Sequence, residues 1–183
     1  MRIGILGLQG GVAEHVYMLN KVFNEADVGG EAILVTKPSE LKDINGIIIP
    51  GGESTTIGKI ALKIGLLDEL KEYILNGLPT MGVCAGAIMM AKKILDRVLG
   101  EISQPSLNVM DIEVVRNYFG RQRESFEIDL NIPVLGSKPF RGVFIRAPAI
   151  TGVSNNVEAL AYLDKVVVFA RQDHMLAVVF HPE

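Results

Sequence analysis

The sequence predicts a three-layer α/β domain: a central, mostly parallel mixed sheet with helices on both faces. Three observations lead there. Short uninterrupted apolar runs at Arg2–Leu8, Gly46–Pro50 and Pro79–Val83 read as strands buried on both faces. Stretches of helical spacing separate them, the alternation that parallel strands require. From Val109 onward the helical spacing stops, and strand-like runs follow one another at short intervals.

"RIGILGL" is the first strand, closed by Gly10 and Gly11. "AEHVYMLNKVFNEA" (Ala13–Ala26) places Val16, Leu19, Val22 and Phe23 at helical spacing. "EAILVT" is the second strand and "GIIIP" the third, the latter ended by Pro50-Gly51-Gly52. Thr56 to Asn76 is helical in two pieces, broken at Gly65. "PTMGV" is the fourth strand, and Ala85–Leu95 is expected as one helix. "LDRVLGEISQPSLNVMD" contains no clear element. "VMDIEVV", "ESFEIDL", "GVFIRA", "VEALAYL", "VVVFARQ" and "MLAVVF" are strands expected to extend the sheet in antiparallel or mixed fashion. In such a sheet the site lies at the C-terminal ends of the parallel strands.

A chain of 183 residues, 49 % hydrophobic and 21 % charged, suits one domain with a substantial core, spanning residues 1–183. The net charge of −3 and the lack of a basic stripe argue against nucleic acid or an anionic membrane surface as partner; Arg121 and Arg123 are a pair, not a patch. The longest uncharged stretch, Asn76 to Ala91, is too short to span a bilayer comfortably and contains Pro79. One cysteine excludes an internal disulfide, and the start "MRIGILGLQGG" lacks a signal-peptide core, so a cytoplasmic location is expected.

That cysteine, Cys84, follows a strand ending at Val83 and precedes a helix, with Gly82 and Gly86 two residues away on each side. A sharp strand-to-helix turn crowds the backbone at those positions, which glycine relieves. This is the nucleophile-elbow pattern with Cys in place of Ser. The helix N-terminus favours a thiolate, and the Ala85 N–H would point at a developing oxyanion. A buried structural thiol is the bland alternative.

A cysteine nucleophile needs a base, and the base needs an orienting group. His15 lies in the first helix, near the end of the first strand, and His174 in a turn, where it should be solvated. His181 ends an apolar strand in "MLAVVFHPE". In extended chain, residues i and i+2 share a side, so His181 and Glu183 project together, with Pro182 stiffening the link.

These residues resemble the class I (triad) glutamine amidotransferases, which carry a Cys-His-Glu triad on a flavodoxin-like sheet. "GLQGGVAEH", "IIPGGESTT", "GVCAGAI", "RNYFGRQRESFE", "FIRAP" and "FHPE", in that order, are similar to one branch of them, the glutaminase subunits of pyridoxal 5′-phosphate synthase. The resemblance covers nearly the whole chain. It implies hydrolysis of L-glutamine to L-glutamate and ammonia, with Cys84 forming a γ-glutamyl thioester, His181 moving the protons and Glu183 orienting His181. It also implies delivery of ammonia to a synthase subunit within a large hetero-oligomer, without metal or cofactor in the glutaminase. Glutamine would be held by Gly52, Glu53, Ser54, Arg116, Ile145 and Arg146, with Gly52 and Ala85 donating to the oxyanion. The chemistry suits: an α-ammonium and an α-carboxylate call for a carboxylate and an arginine. The bland alternatives are Glu53 as a solvated turn residue, Ser54 or Thr55 as a helix N-cap, and surface arginines.

Gln9 and Gly10 follow the first strand, and their position suggests a loop that senses the synthase. In the family the chain continues past His-Pro-Glu, so a further helix after Glu183 is implied. "GILGLQGG" lacks the spacing of a dinucleotide loop, and "GGESTTIGKI" that of a phosphate loop. The competing functions are the glutaminase of another amidotransferase, such as imidazole-glycerol-phosphate synthase, a non-catalytic regulatory subunit, and a cysteine hydrolase on a similar sheet.

Overall fold

The computed structural model describes residues 1–183, the side chain of Gln122 excepted. Strand β1 (Arg2–Leu6) is followed by helix α1 (Val12–Glu25), β2 (Glu31–Val35), β3 (Gly46–Ile49), α2 (Ser54–Lys63), α3 (Leu66–Leu75), β4 (Thr80–Val83) and α4 (Ala85–Met90). Nine further strands complete the chain: β5 (Ala91–Asp96), β6 (Gly100–Glu101), β7 (Met110–Arg116), β8 (Phe126–Leu130), β9 (Phe140–Phe144), β10 (Ala149–Val153), β11 (Glu158–Leu163), β12 (Val166–Gln172) and β13 (Met175–Val178). The main sheet runs β2-β1-β3-β4-β13-β12-β10-β7-β5-β6, with β11 on β12.

The apolar runs of the first half form the parallel block. β2, β1, β3 and β4 pair in parallel, and β13 joins β4 in parallel with Val178 opposite Val83. Ile5, Ile47, Ile49 and Val83 are all about fully buried there. β13 then pairs antiparallel with β12, so it stands between the parallel block and the mixed remainder. The crossover helices cover the sheet with Phe23, Ile57, Leu66, Leu70 and Ile74. The break at Gly65 is a residue with φ 73°, where glycine carries no steric penalty.

Four local expectations differ from the structure. The helix begun at Ala85 stops at Met90, and Ala91–Asp96 is a strand. All six residues of α4 are buried, so continuing it would bring the ammonium groups of Lys92 and Lys93 toward the packed layer. As a strand the segment pairs with β7, and a register shift between Ala91 and Lys93 lets both lysines face outward. There they meet Asp111 at 2.5 Å and Glu113 at 2.6 Å. Within "LDRVLGEISQPSLNVMD", β6 forms a short antiparallel pair with β5. "GVFIRA" leaves its strand after Phe144, and Ala149–Val153 forms a strand that the sequence did not reveal. β8 and β9 form a separate two-stranded sheet rather than extending the main one.

Candidate active site

Cys84 sits between β4 and α4 with φ 50° and ψ −100°, a conformation that non-glycine residues avoid. Its backbone is pinned: the Cys84 N–H donates to Val178 O at 2.7 Å. The flanking glycines are needed for contact. A Cβ on Gly82 would fall 2.6 Å from the Gly86 carbonyl carbon, and one on Gly86 would collide with Ile49 O. Ala85 opens α4, so its N–H has no helical acceptor.

The far end of the chain reaches the thiol because β13 lies beside β4. His181 is held by its own backbone, its N–H donating to Val143 O of β9 at 2.8 Å. Phe180 anchors it by packing its ring on Phe140 and Phe144. The imidazole shares the cleft with Cys84 and bonds to Glu183, with Nδ1 2.8 Å from Glu183 Oε1. Burial pulls the His181 pKa down, but its interactions with Cys84 and Glu183 hold it up at about 10. Burial raises the Glu183 carboxyl, yet the bond to His181 and the neighbouring histidines bring it below the usual range. Gly51 lies against the ring; a Cβ there would strike His181 Cε1.

These groups line a cleft of about 430 Å³ bounded by Gln9, Gly52, Glu53, Ser54, Arg116, Ile145 and Arg146. Every glutamine-binding residue expected from the resemblance therefore borders it. Ala85, the expected oxyanion donor beside Cys84, is buried in α4. Glu53, rather than Ser54 or Thr55, is the N-cap of α2: its carboxylate accepts from Thr55 N at 3.1 Å and Thr56 N at 2.6 Å. Burial raises the Glu53 pKa, and these bonds together with the Thr56 hydroxyl bring it below the usual range. Arg116 reaches Glu53 at 3.4 Å and Gln104 at 3.1 Å. Gln9 Oε1 accepts the Glu53 N–H at 2.7 Å, tying the loop after β1 to the cleft.

Three further residues belong to this neighbourhood. Gln104, from the stretch without a legible element, holds Ser54, Thr55 and Arg116 with one oxygen. Asn117 lines the cleft with φ 51°, a backbone state asparagine tolerates, and this was its one sequence signal. His15 lies 3.7 Å from Glu183. His174 is half-buried: its Nε2 is 2.7 Å from Ile74 O, and its backbone carbonyl accepts from Thr80 N at the start of β4, the opposite end of that strand from Cys84.

A larger cavity of about 690 Å³ adjoins the cleft and contains no thiol; Arg97, Arg116, Arg121 and Arg146 line it, with Asp96 as the one carboxylate. Reactivity, not volume, marks the smaller cleft as the candidate active site. Among the described residues, no group of three His, Cys, Asp or Glu is arranged to hold a metal, and no helix is long and apolar enough to cross a membrane.

Comparison with known proteins gives a consistent result. Pyridoxal 5′-phosphate synthase subunit PdxT of Staphylothermus marinus is 59 % identical across the whole of this chain and 91 % of its own length. The protein of the same name from Aeropyrum pernix is 58 % identical over the whole chain and 92 % of its own. A crystal structure of a glutamine amidotransferase superposes with a TM-score of 0.85 at 43 % identity, covering 98 % of this chain and 89 % of the other. A Thermotoga maritima glutamine amidotransferase shares the fold, with a TM-score of 0.63 at 15 % identity over 99 % of this chain and 75 % of its own. Residues 5–183 match the SNO glutamine amidotransferase family, and the chain belongs to that family.

Proposed function

We propose that the chain is the glutaminase subunit of a pyridoxal 5′-phosphate synthase, built as one catalytic domain over residues 1–183. It hydrolyses L-glutamine to L-glutamate and ammonia through a thioester on Cys84 and passes the ammonia to a synthase subunit. The observation that carries this reading is Cys84, held at a strained turn in the same cleft as His181, whose Nδ1 is bonded to Glu183.

His181, held protonated at neutral pH, already carries the proton taken from Cys84, and the sulfur attacks the side-chain amide carbon. The resulting oxyanion is met by the N–H groups of Ala85 and Gly52, donors fixed by the backbone. The C–N bond breaks as His181 returns its proton to the leaving ammonia, and the thioester remains. Water then attacks that carbonyl while His181 removes its proton; sulfur leaves and is reprotonated, releasing glutamate. Glu183 keeps the imidazole in the tautomer that faces sulfur with Nε2. Arg146 and Arg116 suit the α-carboxylate and Glu53 the α-ammonium of free glutamine.

The test is glutamate release from glutamine by wild type and Cys84→Ala, each with the synthase subunit. Wild type should turn over, and the alanine variant should lose at least about 10³-fold. Comparable rates in the two would overturn the mechanism.

A further inference from the structure

Helix α1 places a second imidazole behind the proposed triad. His15 is 4 % exposed, and its Nε2 stands 3.7 Å from Glu183 Oε1 without any hydrogen-bond partner. Glu183 Oε2 is likewise buried and unpartnered. A buried donor or acceptor left open is destabilising, because it has lost water without gaining a partner. Here two such atoms belong to adjacent side chains, and roughly half an ångström of approach brings Nε2 within hydrogen-bond distance of Oε1 of that carboxylate.

The charged and titratable neighbours of His15 are Glu183 and His181 from the C-terminal segment and Glu14 from its own helix. Burial lowers the His15 pKa, outweighing the attraction of Glu183, so the ring is neutral at pH 7. A neutral imidazole with its hydrogen on Nε2 donates to the carboxylate without placing a second cation beside His181.

We propose that His15 is a positioning residue that donates from Nε2 to the Glu183 carboxylate, fixing the acid in the orientation that serves His181 Nδ1. The proposal rests on the glutaminase reading and deepens it. Two bonds then constrain Glu183, one to each histidine, where the His-Pro-Glu segment by itself supplies one. A carboxylate free to rotate would lose His181 for part of the time. The hydrogen bond that helps hold His181 protonated would weaken, and the imidazole would be poorly aimed at the sulfur.

The test compares His15→Leu, which fills the space without a donor, with His15→Gln, whose amide nitrogen reaches where Nε2 stood. Each is assayed with the synthase subunit for kcat and KM, and the His181 ring is titrated by NMR in the subunit alone. His15→Leu should lower kcat about 10- to 100-fold with KM within about twofold, and should move the His181 midpoint to lower pH. His15→Gln should recover most of kcat and the wild-type midpoint. Should the leucine variant not fold, His15→Phe takes its place. A donor-free variant with wild-type kcat and midpoint overturns the proposal, as does equal damage from Leu and Gln. The midpoint does not depend on turnover: a wild type that releases no glutamate refutes the functional reading, while the titration still decides the role of His15.

Discussion

At Cys84 the backbone is bent through φ 50° so that the sulfur stands in the cleft rather than in the core. Such a conformation costs a non-glycine residue about 1–3 kcal/mol. The strain can be measured by removing the sulfur in two ways. Cys84→Ala and Cys84→Gly lose the same thiol and the same interaction with His181, but only glycine relaxes the turn. Cys84→Gly should therefore melt higher than Cys84→Ala, by up to about 2 kcal/mol in unfolding free energy after the entropic cost of glycine is subtracted. A lower melting temperature for the glycine variant would show that the turn stores no strain. Both variants should be inactive, since stability gained here is taken from the nucleophile.

Single elements are aligned by polar clamps as well as by apolar packing. Asp111, on β7, accepts from Lys92 on β5 at 2.5 Å, from Gln172 on β12 at 2.8 Å and from Asn156 at 2.9 Å. Its own N–H donates to Gln172 Oε1 at 2.7 Å, so the two residues clasp each other. The bonds from Lys92, Asn156 and Gln172 hold the Asp111 carboxyl down at about 2, from 3.8. A depressed carboxyl stabilises the fold above its unfolded pKa, and that stability is lost as pH falls through the folded value. The contribution is thus complete above pH 3.8 and disappears as pH falls through about 2. Asp111→Asn should remove this acid limb from a plot of urea midpoint against pH, and should cost about 1–3 kcal/mol at pH 7, because the buried Gln172 amide loses a matched partner. An unchanged midpoint at pH 7, or an unchanged acid limb, would show that the clamp carries no such weight.

Over the whole molecule, β13 is the strand that joins the two halves of the sheet. It pairs with β4 on one side and β12 on the other, and brings His181 to Cys84 across most of the chain length. Its hairpin with β12 is local, but its pairing with β4 joins residues far apart in sequence, so closing the sheet comes late in folding. A chain ending at His174 should lose the cooperative thermal transition seen by near-ultraviolet circular dichroism, although β1, β2, β3, β4 and all four α-helices are intact. A sharp transition in that truncated chain would mean that the N-terminal block folds on its own.

The alternation of buried strands and helices was legible because burial on both faces leaves uninterrupted apolar runs, which short-range sterics turn into β1, β3 and β4. The elbow at Cys84 was legible for the same reason: Gly82 and Gly86 relieve crowding within a few residues of the thiol. The end of α4 at Met90 was not, since it is set by pairing with β7, whose partner groups Asp111 and Glu113 lie well downstream. His15 and Gln104 carried no local signal, because each is defined by what it faces: a carboxylate from the last residues in one case, Arg116 and the start of α2 in the other. Arg97 and Arg121 were given no role along the chain, yet they line one cavity with Arg116 and Arg146, both expected at the glutamine site. By itself the sequence determined the strands of the parallel block and the buried bend that carries the nucleophile, both products of sterics between near neighbours. Only the tertiary structure decided which charges meet around that bend, because electrostatic partners are chosen by strand order across the sheet, and strand order depends on contacts between residues far apart in the chain.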